Sequence, residues 1–132
     1  DLQCAVVAWA AMQTGIMPAL KLLYAVPNGA FFGAGDKVLA SGKKIPLGVI
    51  RAARLKKEGL RVGVPDFLLC FSGLFLAVEV KRPGKKPTLE QNGELAWIRK
   101  AGGIECVATS LSEVKALIAL LTARVEMEKR KL

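Results

Sequence analysis

Two apolar runs, Phe67–Phe71 and Leu74–Val78, stand on either side of a Ser72-Gly73 dipeptide. This is the pattern of two strands joined by a tight turn. With those two residues as the loop, Phe71 faces Leu74 and Asp66 falls opposite Glu79. Side chains alternate along a strand, so Phe67, Leu69, Phe71, Leu74, Leu76 and Val78 share one face, and Leu68, Cys70, Phe75 and Ala77 the other. Such a sheet must be covered on both sides. Asp66, Glu79 and Lys81 at its far end do not suit a core and are expected in a cleft.

The rest of the chain reads as a mixed succession of elements. Residues 2–13 are apolar with Gln and small residues, and predict a helix ending before Gly15. Leu20–Val26 predicts a strand, ended by Pro27-Asn28-Gly29. The stretch Ala30–Lys44 holds several glycines and no periodicity, as in a loop, a partly ordered flap or an irregular hairpin. A second helix covers Leu47–Glu58, begun by Pro46 and ended by Gly59. Thr88 and Gln91 form a capping-box pattern for a third helix reaching Lys100. Gly102-Gly103 stops it, and Ile104–Ala108 is the next strand. Ser110 with Glu113 gives a second capping box, opening a helix that runs to Arg130. The order α-β-α-β-β-α-β-α, with no repeat and no linker, predicts one α/β domain over residues 1–132.

Composition narrows the chemistry. At 132 residues and 52% hydrophobic content the chain can bury a core. No apolar run reaches the roughly 18 residues of a membrane span, and nothing reads as a signal peptide. Lys and Arg number 20 against 11 acids, a net charge of +9, which favours a polyanionic partner such as a phosphate backbone. The absence of histidine removes His-based acid–base chemistry, most zinc sites and Ser-His triads. Cys4, Cys70 and Cys106 are widely spaced, odd in number and without a CxxC pattern, so buried free thiols in a reducing cytoplasm are expected. Ser41-Gly42-Lys43-Lys44 lacks the spacing and the hydroxyl of a phosphate-binding P-loop.

Opposite one another on a hairpin, Asp66 and Glu79 would have Cβ atoms about 5 Å apart. Carboxylates at that range repel, and a metal cation is the obvious partner that relieves the repulsion. Lys81 shares Glu79's face and could orient or polarise an attacking water. The arrangement suits a metal-dependent hydrolase. Its bland alternative is an exposed strand end carrying a weak Glu-Lys pair.

The Pro65-Asp66 … Glu79-Val80-Lys81 arrangement resembles the PD-(D/E)XK nuclease superfamily. Val26-Pro27-Asn28-Gly29, Arg51-Ala52, Leu55-Lys56-Lys57-Glu58-Gly59, Gly63-Val64-Pro65-Asp66, Gln91 and Gly102-Gly103 narrow the resemblance to its VRR-NUC domains. These landmarks occur in order, up to about residue 108. The resemblance implies a restriction-endonuclease-like central mixed β-sheet flanked by helices. It implies Mg²⁺ or Mn²⁺ bound by Asp66, Glu79 and the backbone carbonyl of Val80. Lys81 would orient water or neutralise the transition state, and Gln91 would face the metal water or the phosphate. That role for Gln91 and its place in the capping box draw on one side chain.

Arg51, Arg54, Lys56, Lys57, Arg82, Lys85 and Lys86 are candidate DNA contacts flanking the hairpin. Stand-alone small VRR-NUC proteins, often phage-borne, are similar to Holliday-junction resolvases and work as homodimers. A homodimeric endonuclease cutting four-way DNA junctions is therefore the expectation. A silent DNA-binding module and a nuclease without branch selectivity are its alternatives. The family's first helix carries an acid a little before a Gln. Gln3 matches the Gln, and the acid falls just before Asp1, as expected if the chain has been trimmed at its start.

Overall fold

A computed structural model describes residues 1–27 and 34–132. Asn28, Gly29 and the first residues of the 30–44 stretch lie outside the described residues. The chain divides into two compact units, one formed by Asp1–Val26 with Gly63–Leu132, the other by Pro27–Val62.

The first unit is built on the expected hairpin. Strand β4 (Phe67–Phe71) pairs antiparallel with β5 (Leu74–Val80), with Phe71 opposite Leu74 and Phe67 opposite Val78. The short strand β1 (Tyr24–Ala25) pairs antiparallel with β4, and β6 (Ile104–Ala108) runs parallel to β5 on its other side. The mixed sheet therefore has the order β1-β4-β5-β6. Helix α3 (Leu89–Lys100) makes the crossover that two parallel neighbours require.

The two faces of this sheet are covered unequally. Phe67, Leu69, Phe71, Leu76 and Val78 form one buried core with Val6, Trp9 and Ala10 of α1 (Leu2–Gln13) and Val114, Ile118 and Leu121 of α4 (Leu111–Arg130). On the opposite face Ala77 is buried, but Cys70 and Phe75 are exposed. The expectation of a sheet covered throughout on both sides therefore fails near the hairpin turn. The expectation of buried thiols fails with it, because Cys4 and Cys70 are exposed and only Cys106 is half-buried. Among the described residues no helix is long and apolar enough to cross a membrane.

The predicted strand at Leu20–Val26 is mostly something else. Pro18–Leu22 is a 3-10 helix that buries Leu20, and only Tyr24–Ala25 is strand. Proline at the first helical position favours that turn, since its fixed φ suits a helix and its missing N–H costs nothing there. The two capping residues behave as expected: Thr88 and Ser110 accept from the backbone N–H of Gln91 and Glu113. Glu113, however, turns its carboxylate to the Thr109 N–H rather than completing a box with Ser110.

In the second unit an antiparallel hairpin joins β2 (Asp36–Val38) to β3 (Lys44–Pro46). It adds two strands to the order read from the sequence. Helix α2 (Leu47–Lys57) follows at once, with Pro46 as its N-cap. Its end is closed by Gly59 N–H to the Lys56 carbonyl and Leu60 N–H to the Leu55 carbonyl, the paired bonds of a glycine-terminated helix.

Ser72 and Gly73 both have positive φ, 49° and 79°, as the two-residue turn of a twisted hairpin requires. Glycine adopts this readily and serine does not. Ser72→Asn is expected to stabilise the protein by about 0.5–1 kcal/mol, read as a higher urea midpoint with an unchanged slope.

Candidate metal centre

The end of the β4–β5 hairpin converts an apolar sheet into a polar site. Asp66 immediately precedes β4, and its backbone carbonyl accepts from Val26 N–H at 2.8 Å, continuing the β1–β4 pairing. Its side chain is held from two directions. Oδ2 accepts from the Val80 backbone N–H at 2.8 Å and Oδ1 from Gln3 Nε2 at 2.7 Å. One bond ties the carboxylate to the neighbouring strand and the other to α1. Asp66 and Glu79 are the two charged side chains buried among the described residues.

Glu79 is the more confined, at 1% exposure. It lies within β5, where alternation turns it away from the main core and toward α3. Its Oε1 receives Lys81 Nζ at 2.7 Å and Gln91 Nε2 at 2.5 Å. Its Oε2 is buried and has no hydrogen-bond partner. Burial pushes the Glu79 carboxyl above its ordinary range and the negative charge of Asp66 adds to this, while the Lys81 ammonium partly offsets both.

Gln91 performs two tasks at once. Its Oε1 accepts from Thr88 N–H at 2.9 Å, completing the capping box, while its Nε2 donates to Glu79. The two uses foreseen for one side chain do not compete, because an amide has a separate acceptor and donor end. The start of α3 is thereby fastened to the carboxylate. Gly63 fixes the same helix start from the other side. It has φ +82°, and a Cβ there would come within 2.6–2.8 Å of backbone atoms of Glu90 and Gln91. The segment leading to Asp66 can approach α3 this closely only without a side chain.

A cleft of about 580 Å³ is lined by Asp1, Leu2, Gln3, Val80, Lys81, Arg82, Pro83 and Thr109. Gln3, Val80 and Lys81 bind Asp66 or Glu79 from its wall, and the two carboxylates themselves lie behind it. Gln3 was legible as a landmark, but its bond to Asp66 was not. The available signal was a lone amide in an otherwise apolar helix start. Asp1 uses its side chain to cap α1 through the Gln3 N–H at 2.9 Å. Of the predicted phosphate contacts, Arg82 lines the cleft, and Lys85 and Lys86 are exposed in the segment after β5. Arg51, Arg54, Lys56 and Lys57 are exposed on α2 of the second unit, where Arg54 pairs with Glu58.

The donor set fits a hard divalent cation. A buried carboxylate oxygen without a partner is costly, and a cation is the group that would complete it. Among the described residues no cluster of three or more His, Cys, Asp or Glu side chains occurs. A cation would therefore draw on two carboxylates, Asp66 and Glu79, supplemented by backbone oxygen, as hard oxygen-seeking ions accept.

Two measurements test this construction. Gly63→Ala is expected to cost roughly 2–4 kcal/mol, from left-handed strain together with a backbone clash, read by chemical denaturation. Glu79→Gln is expected to melt a few degrees above the parent in EDTA at neutral pH, since it removes a disfavoured buried charge. Because the folded-state pKa of Glu79 is raised, the folded form holds that proton more tightly than the unfolded form. The penalty is thus full above the raised pKa and is relieved as pH falls through it toward 4.5. The melting difference between the two proteins should shrink over that interval.

No protein-family model matches the sequence, and no curated protein matches it. Among solved structures the chain is similar to a VRR_NUC domain protein, with a TM-score of 0.64 and 19% identity over 90% of this chain and 83% of that one. At that identity the likeness is one of fold, and it bears out the expected mixed α/β architecture: the chain has the fold of a VRR-NUC domain.

Proposed function

We propose that this protein is a Mg²⁺- or Mn²⁺-dependent nuclease that hydrolyses DNA phosphodiester bonds. The observation that carries the reading is the bare, buried Oε2 of Glu79 next to Asp66, at the end of a hairpin whose cleft is lined by Lys81 and Arg82. The VRR-NUC fold and the ordered landmarks of the sequence support it.

Asp66, Glu79 and the carbonyl of Val80 would hold the cation, which when bound lowers the pKa of water and neutralises charge on the scissile phosphate. Gln3 and the Val80 N–H fix both oxygens of Asp66, so that this carboxylate is oriented before any ligand arrives. Gln91 and Lys81 occupy one oxygen of Glu79 and leave the other uncommitted. The Lys81 ammonium would orient the attacking water or neutralise charge developing on the phosphate. Arg82, Lys85 and Lys86 would follow the DNA backbone, with Arg51, Arg54, Lys56 and Lys57 of α2 as further phosphate contacts.

The preferred substrate in this reading is a branched duplex, above all a four-way junction cut by a homodimer. Two copies of one site match two strands of a symmetric branch. The test is cleavage of a labelled four-way junction beside linear duplex, flap and single strand, with Mg²⁺, Mn²⁺ or EDTA. Symmetric metal-dependent nicks are expected, reduced at least about 100-fold by Asp66→Ala and by Glu79→Ala. Cleavage that persists in EDTA or in both variants removes this site from the reaction. Tight DNA binding without any cutting would make the protein a binding module of this fold.

A further inference from the structure

The outer side of α3 is unusual for a helix whose inner side is so well used. Leu95 is buried, Gln91 and Ile98 are half-buried, and these residues face the sheet. Along the opposite side, one helical turn apart, come Leu89, Gly93 and Trp97. Leu89 is 85% exposed and Trp97 60% exposed. Gly93 sits in the middle of the helix, and a Cβ there would meet nothing within 4 Å. A glycine in a helix interior costs about 0.8–1 kcal/mol relative to alanine, and no contact within the chain explains it. Its effect is external, because it leaves a bare notch of backbone between two exposed apolar side chains.

We infer that this face pairs with the same face of a second copy of the chain, the two α3 helices running antiparallel. In that register, about an axis level with Leu95, Trp97 of each copy lies over Gly93 of the other. Glu90 of each then stands beside Lys100 of the other. All four residues lie on one side of the helix, with the acid near its N-terminus and the base at its C-terminus. Antiparallel pairing matches opposite charges and opposes the helix dipoles, whereas parallel pairing would set Glu90 against Glu90. Lys100 Nζ already lies 4.8 Å from the centre of the Trp97 ring, which steadies the ring on this face.

The mixed charge of the face favours a second protein copy over a nucleic acid, since Glu90 would repel phosphate. Gln91 and Leu95 point the other way and no residue of α3 lines the cleft, so the pairing leaves the cleft of Gln3, Val80 and Lys81 open in each copy. The inference deepens the proposed homodimer, and its test does not depend on cleavage.

Light scattering and sedimentation equilibrium of the full chain should give twice the 14.1 kDa of one chain. Gly93→Leu fills the notch with a good helix former and should yield a monomer of unchanged helicity by circular dichroism. Glu90→Lys should weaken association about tenfold in Kd, and Glu90→Lys with Lys100→Glu should restore it. A parent protein that is monomeric throughout, a dimer indifferent to Gly93→Leu, or failure of the charge exchange to rescue would each overturn the inference. So would quenching by DNA of the Trp97 emission in a monomeric Trp9→Phe protein, which would assign the face to nucleic acid. A dimer that obeys these variants yet cuts no DNA leaves the surface standing and removes the nuclease reading. A monomer that cuts DNA does the reverse.

Discussion

The burial of Glu79 is the constraint around which the first unit is arranged. A carboxylate at 1% exposure is tolerable only with donors at hand, and three elements of structure are bent to supply or frame them. Lys81 comes from just beyond the same strand, Gln91 from the first turn of α3, and Asp66, whose charge acts on it, from the position just before the adjoining strand. The arrangement is still incomplete, since one oxygen has no partner. A fold optimised for stability alone would place an apolar residue here, as a buried ion pair commonly yields to a hydrophobic substitute. The pattern of a local cost retained at one end of a well-packed sheet is what functional sites show.

The surrounding structure makes that cost bearable. The β4–β5 hairpin is locked by its apolar core face against α1 and α4, so the strand ends bearing Asp66 and Glu79 have little freedom to separate. Helix α1 contributes to both jobs: Val6, Trp9 and Ala10 pack into the core while Gln3, near its start, reaches Asp66. Helix α3 is tied to the site by one side chain and one absent side chain. The Gln91 amide bridges the helix cap to Glu79, and Gly63 lets the incoming chain lie against the helix backbone. Position is thus set by rigid elements, with Gly63 as the close-packed joint between them.

Basic charge is distributed differently from the acids. Lys81 and Arg82 reach the cleft, Lys85 and Lys86 extend from the strand that carries Glu79, and another group occupies α2. Exposed charges of this kind add little to stability. In the proposed reading their value lies in attracting a polyanion, which agrees with a chain whose positive excess is +9. The proposed reaction uses the same division: buried acids for the cation, solvated bases for the phosphate backbone.

Much of this was legible in the sequence because it depends on local rules. Alternation about Ser72-Gly73 determined the hairpin register, and with it the opposition of Asp66 and Glu79. Thr88 with Gln91 and Ser110 with Glu113 located two helix starts, and Gly59 and Gly102 marked helix ends. Where two local preferences conflicted, the reading failed: Leu20–Leu22 looked strand-like by composition, but Pro18 began a 3-10 turn and Leu20 turned inward. The exposure of Cys70 and Phe75 was also out of reach, because it depends on what packs against that face of the sheet, which strand alternation does not specify. Only the tertiary structure could join Gln3 to Asp66 across 63 positions of sequence, use both ends of the Gln91 amide, and leave one Glu79 oxygen bare. Sequence periodicity determines which side of an element a residue occupies, whereas partnership and burial depend on what the rest of the chain brings to that side.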